Sequence, residues 1–132
     1  TGVQTCALPI LLMAGAITAW DAFLDPQMVG EGYWTWSETS PAYRGIPLVN
    51  YLGWFATACV TSLITLRMLG VPRNVRAISR GVYATLAVLS TVGFIVFFDD
   101  LVVALVGGLA MGLGVIVSFG TVSFVARRRR ST

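Results

Sequence analysis

Four apolar stretches of spanning length dominate the sequence, at about residues 7–24, 48–69, 81–98 and 101–126. A helix that crosses a bilayer needs about 20 mostly apolar residues. Backbone N–H and C=O groups in hydrocarbon must be satisfied within the segment, so such runs have to be helical. Composition agrees: 56% of the residues are hydrophobic and 11% are charged, against about 25% charged in an ordinary soluble domain. The expected fold class is all-α, a polytopic transmembrane helical bundle with four spans. This excludes a soluble globular enzyme, a disordered tail and a nucleic-acid-binding module. No internal repeat of the solenoid kind is present.

The charges set an expected topology. Arg67, Arg73, Arg76 and Arg80 surround the connection between the second and third runs, and Arg127 to Arg130 follow the fourth. Only Arg44 lies elsewhere. Arg-rich short segments stay cytoplasmic, and the two clusters are two spans apart, so one orientation satisfies both. The C-terminus is then cytoplasmic, in a multi-pass protein of the plasma membrane. The acids Asp21, Asp25, Glu31, Glu38, Asp99 and Asp100 all fall at the opposite side. Topology accounts for the Arg run without any nucleic-acid partner.

The chain has neither His nor Lys, which removes His general bases, His metal sites, Schiff bases and a phosphate-loop lysine. Cys6 and Cys59 are too few and too far apart for a metal site or a disulfide framework. No metal and no cofactor is expected. Residues 1–10, Thr-Gly-Val-Gln-Thr-Cys-Ala-Leu-Pro-Ile, resemble the translation of a sequencing-library adapter, and no initiator Met precedes them. Such a scar is set apart from fold reasoning. Residues 11–132 are then expected to be the C-terminal part of one integral membrane domain, whose missing N-terminal helices would be its partners.

Chemistry has to come from carboxylates, amides, hydroxyls and rings. Asp21 and Asp25 are four residues apart, which on a helix is about 6 Å of rise and about 40° of rotation, so they share a face. Asp21 lies about a turn inside the first apolar run, and an acid at membrane depth is a functional candidate by default. Two adjacent carboxyls can share a proton, and a protonated carboxyl is what a general acid needs. The plainer reading is that Asp25 ends the helix at the headgroups, since residues before Pro avoid the helical region, while Asp21 snorkels. All four Trp lie between positions 20 and 54, on one side, whereas a simple interfacial belt decorates both. On the second run Asn50, Trp54, Thr57 and Thr61 form a stripe expected to face other helices. The segment 25–45 is expected to fold back so that Tyr33, Trp34, Trp36 and Tyr43 bury apolar area. Gly108 and Gly112 form a GxxxG, with Gly107, Gly114 and Gly120 nearby, expected to be a packing face. Asp99-Asp100 marks a tight break.

The run Ala19-Trp20-Asp21-Ala22-Phe23-Leu24-Asp25-Pro26-Gln27-Met28-Val29, then Glu31-Gly32-Tyr33-Trp34-Thr35-Trp36, resembles carotenoid biosynthesis membrane proteins of the CruF type. So does Gly45-Ile46-Pro47-Leu48-Val49-Asn50-Tyr51-Leu52-Gly53-Trp54-Phe55. These are the carotenoid hydratases, including the bisanhydrobacterioruberin hydratases. The likeness covers residues 11–69; the third and fourth runs match in hydropathy only. Family members are longer, with spans upstream of the Asp-Pro motif.

The resemblance implies a hydro-lyase that adds water across the terminal double bond of an acyclic carotenoid, giving a tertiary alcohol. Carotenoid and membrane lipid would be its partners. Asp21 or Asp25 would supply the proton, with Asp21 preferred for its depth, and Glu31 would be a partner or water-activating base. Trp20, Tyr33, Trp34, Trp36 and Trp54 would line the cation site, beside Tyr51, and Asn50 and Gln27 would hold water. Two other readings compete: a carotenoid-modifying or carotenoid-binding membrane protein without hydratase chemistry, and an unrelated membrane subunit or transporter piece. Polar groups gathered at one interface speak against a transporter, whose substrate groups sit near the midplane.

Overall fold

The computed structural model describes residues 2–37, 42–69 and 73–130, with side chains over 7–37, 42–69 and 76–120. Glu38 and the side chains of Cys6, Arg73 and Arg127 to Arg130 lie outside the described residues. Four helices make the fold: α1 (Gly2–Gly30), α2 (Leu48–Met68), α3 (Arg73–Val96) and α4 (Leu101–Arg130). Each is long and apolar enough to cross a membrane. The architecture is all-α, as the four apolar runs require.

Helix α1 does not stop at Asp25-Pro26, as the local preference of a residue before proline predicts. It continues to Gly30 with Pro26 inside it. Proline removes one donor, and a packed bundle tolerates that within a spanning helix; Ala22, Phe23, Asp25 and Pro26 are all buried. The stop signal is Gly32, which takes the left-handed φ of 74° that favours glycine. Tyr33 N–H donates to the Met28 carbonyl at 2.9 Å and Gly32 N–H to Val29 at 3.1 Å. This is the paired Schellman closure of a helix C-terminus.

After the turn the chain forms a small antiparallel hairpin, β1 (Ala42–Tyr43) and β2 (Ile46–Pro47), with Ala42 opposite Pro47 and Tyr43 opposite Ile46. Its two-residue loop, Arg44-Gly45, has positive φ at both positions, 51° and 80°. That is the geometry that matches the twist of two short strands. Arg44 is held there by an ion pair with Asp100 at 2.6 Å. Ile46 is fully buried, and α2 begins directly after Pro47.

The basic connection between the second and third apolar runs is helical from Arg73 onward, and the terminal Arg run extends α4 to Arg130. Arginine has good helix propensity, and its long stem lets the charge reach water from a helix end. Arg80 sits over the Phe119 ring, 5.9 Å from its centroid. The break at Asp99-Asp100 forms as expected. Asp99 adopts a left-handed φ of 49°, and Asp100 caps α4, accepting the Val103 N–H on Oδ1 at 3.0 Å.

Burial works against the charge of Asp100, but the Val103 N–H and the Arg44 guanidinium outweigh it and hold the carboxyl below the usual range. A depressed acid stabilises the fold above its unfolded value of about 3.9, and that contribution is lost as pH falls through the folded value. Asp100→Ala is expected to lower stability by about 1 kcal/mol, the usual worth of an N-cap. Asp100→Asn, which keeps a capping oxygen, should cost less in the same thermal unfolding measurement.

Helix α1 packs on α2 and α4, and α4 packs on α3. The C-terminal part of α1 meets the N-terminal part of α2, so these neighbours are antiparallel. The core cluster is Phe23, Ala87, Phe94, Val103, Ala104 and Met111, with the Phe23 and Phe94 rings 5.4 Å apart. The glycines of α4 allow close approach as expected, with Gly112 the exception within the GxxxG. A Cβ on Gly107 would lie 2.7 Å from the Phe23 ring, and one on Gly108 would lie 2.9 Å from Thr91 Oγ1. One on Gly112 would meet nothing.

Beyond Asn50 the polar stripe on α2 is displaced. Trp54, Thr57 and Thr61 are exposed, and the buried residues of α2 are Ala58 and Ser62. Thr61 Oγ1 donates to the Thr57 carbonyl at 3.0 Å. A threonine that satisfies itself on its own helix can face lipid, so its polarity does not report an interhelical face.

Candidate functional site

Asp21 and Asp25 lie on successive turns of α1 and point toward the start of α2. They are 2% and 3% exposed. Asn50, in the first turn of α2, donates its Nδ2 to Asp25 Oδ2 and reaches Asp21 Oδ2 at 3.4 Å. One amide nitrogen serving two carboxyls sets the acids side by side. The N-terminal end of α2 favours negative charge nearby through its dipole. Tyr51 follows Asn50, and its ring is 6.2 Å from that of Tyr43 in the hairpin. Burial raises the Tyr43 phenol above its ordinary value, and Asp100 adds to the effect.

Beside the acids is a cleft of about 300 Å³. Asp25 and Asn50 form its polar part, and Leu24, Trp34, Thr35, Trp36 and Trp54 supply the rest. The rings come from two places: Trp54 stands one turn along α2 from Asn50, while Trp34 and Trp36 follow the Gly32 turn. That turn reverses the chain at the end of α1 and brings the Trp-Thr-Trp segment back over Leu24 and Asp25.

Of the residues expected from the sequence, Asp25, Trp34, Trp36, Asn50 and Trp54 therefore meet around one cleft. Asp21 stands behind Asp25, bonded to the same amide but off the cleft lining. Trp20, Gln27, Tyr33 and Glu31 are not brought to the lining. Tyr33 is 74% exposed, because it is the residue that closes the α1 turn through its backbone. The expected burial of rings in the 25–45 segment therefore holds for Tyr43, which packs on the core cluster; Trp34 and Trp36 line the cleft but stay 41% and 37% exposed, and Tyr33 does neither. Glu31 is exposed in the same turn. Sequence reasoning missed Leu24 and Thr35 as lining residues. Their signal was adjacency, to Asp25 and to the two Trp.

The structure is thus a bundle of four helices of membrane-spanning length with a buried carboxyl pair, of which Asp25 lines a cleft rich in Trp. Residues 2–122 match the family of carotenoid biosynthesis proteins, and the chain belongs to that family. No curated protein and no solved structure matches it significantly. Its role lies in carotenoid biosynthesis, as a multi-pass membrane protein.

Proposed function

We propose that the protein hydrates the terminal carbon–carbon double bond of an acyclic carotenoid end group. The observation that carries this reading is the buried pair Asp21 and Asp25, joined by Asn50, of which Asp25 lines a cleft shared with three Trp. An isolated trisubstituted alkene accepts water only after protonation. Asp25, on the cleft, gives its proton to the terminal CH carbon, and the π pair forms the new C–H bond. A tertiary cation remains on the carbon that bears two methyl groups. Trp34, Trp36 and Trp54 face that charge with their electron-rich rings. A water lone pair forms the C–O bond, and the extra O–H proton passes to the carboxylate, which restores the acid. Alkene and water are consumed and a tertiary alcohol is made. Asp21 shares the proton with Asp25 through their common site, and Asn50 fixes the geometry of both.

The test is carotenoid profiling in a host that makes the acyclic precursor and expresses the protein. A hydroxylated end group is expected, with the precursor depleted. Precursor left unchanged at full expression would overturn the reading.

We further propose that the α2–α3 connection and the C-terminus face the cytoplasm, because eight of the nine Arg cluster there. Reporter fusions in the α2–α3 connection and after Arg130 should both report the cytoplasmic side. Opposite readouts would break this topology.

A further inference from the structure

Three buried oxygens near the acid pair have no hydrogen-bond partner among the described residues: Asp21 Oδ1, the Tyr51 hydroxyl and the Tyr43 hydroxyl. Buried polar atoms are almost always satisfied, and bound water is the usual partner where protein supplies none. Tyr51 follows Asn50, whose amide donates to Asp25 and reaches Asp21. The Tyr43 and Tyr51 rings are neighbours at 6.2 Å. Tyr43 in turn is flanked by Arg44 and Asp100, whose ion pair is partly exposed at the hairpin end of the bundle. Neither tyrosine lines the aromatic cleft.

We infer that Tyr51 and Tyr43 form a path for water and protons between the hairpin end and the buried acid pair, separate from the cleft that takes the apolar end group. Each phenol hydroxyl accepts one proton on its oxygen and releases its own, so a proton passes with no net change at either ring. Water bridges the gaps between the hydroxyls and Asp21 Oδ1. The path keeps water off the aromatic cleft until the acid pair is reached. Its use rests on the hydration reading, which consumes one water per turnover, but its existence is measured independently of any product.

The measurement is hydrogen–deuterium exchange of the buried carboxyl proton, followed through the carboxyl C=O stretch by infrared difference spectroscopy on the protein in lipid vesicles. Loss of the band in Asp21→Asn or Asp25→Asn assigns it. Tyr51→Phe and Tyr43→Phe keep both rings and remove only the hydroxyls. Each is expected to slow exchange by up to about tenfold, the scale of one lost hydrogen bond. Tyr83→Phe is the control, because that hydroxyl donates to the Ala16 carbonyl elsewhere in the bundle; it should leave the exchange rate unchanged. Unaltered exchange in both tyrosine variants, equal slowing in Tyr83→Phe, or no protonated-carboxyl band at all would overturn the path. Slowed exchange in a protein that yields no hydrated carotenoid would support the path and sink the hydration reading alone.

Discussion

Asp25→Asn is expected to lower carotenoid hydration by about 10²–10⁴-fold, the usual contribution of a positioned general acid. Asparagine matches aspartate in size and still offers an oxygen to Asn50, so the variant should remain in the membrane at normal levels. What it lacks is a proton to give. Asp21→Asn should also reduce hydration, by a smaller factor, because Asp21 is off the cleft and acts through its neighbour. Product quantification at matched protein levels checks both. Normal product from Asp25→Asn would remove it as the acid, and a larger loss in Asp21→Asn than in Asp25→Asn would exchange their roles.

The second large effect is on stability. Gly107→Val should destabilise the bundle by about 1–3 kcal/mol, the range for overpacking a filled core. Its Cβ alone would lie 2.7–2.8 Å from three atoms of the Phe23 ring. Phe23 lies between Asp21 and Asp25 on α1, so displacing that ring also moves the acids and should reduce activity. Gly112→Ala is the comparison, since nothing lies within 4 Å of its added Cβ. It should stay within about 0.5 kcal/mol of the parent, as substitutions away from such features do. Thermal unfolding in detergent micelles measures both. Equal losses would return the packing role to the GxxxG spacing.

These two sites also show what the sequence makes legible. The four helices were readable because hydrocarbon thickness fixes their length and composition. The acid pair was readable because four-residue spacing places both carboxyls on one face whatever the helix packs against. Which acid meets the cleft was not, since that depends on how α1 rotates against α2, and Asn50 becomes the common donor only once the helices are docked. The end of α1 was misread for a related reason: the residue before Pro26 carries a local preference, and tertiary packing around Asp25 and Pro26 outweighs it. Gly32 held the correct signal, but a lone glycine in a polar segment does not announce a left-handed turn. Tyr33 and Glu31 looked like site residues because they adjoin Trp34 and Trp36 in sequence. The same turn that brings the two Trp beside Asp25 leaves Tyr33 and Glu31 off the cleft. The α2 stripe holds at Asn50, which bonds the acids of α1, and fails at Thr61, whose hydroxyl is satisfied on its own helix and needs no polar neighbour.

The most direct test of acid-promoted hydration traces the oxygen. Membranes containing the protein are incubated with the acyclic carotenoid in heavy-oxygen water, and the product is weighed by mass spectrometry. The account predicts one heavy oxygen in the tertiary hydroxyl of every new product molecule, with or without molecular oxygen present. A hydroxyl whose oxygen comes from molecular oxygen, or a product formed without label, would contradict it.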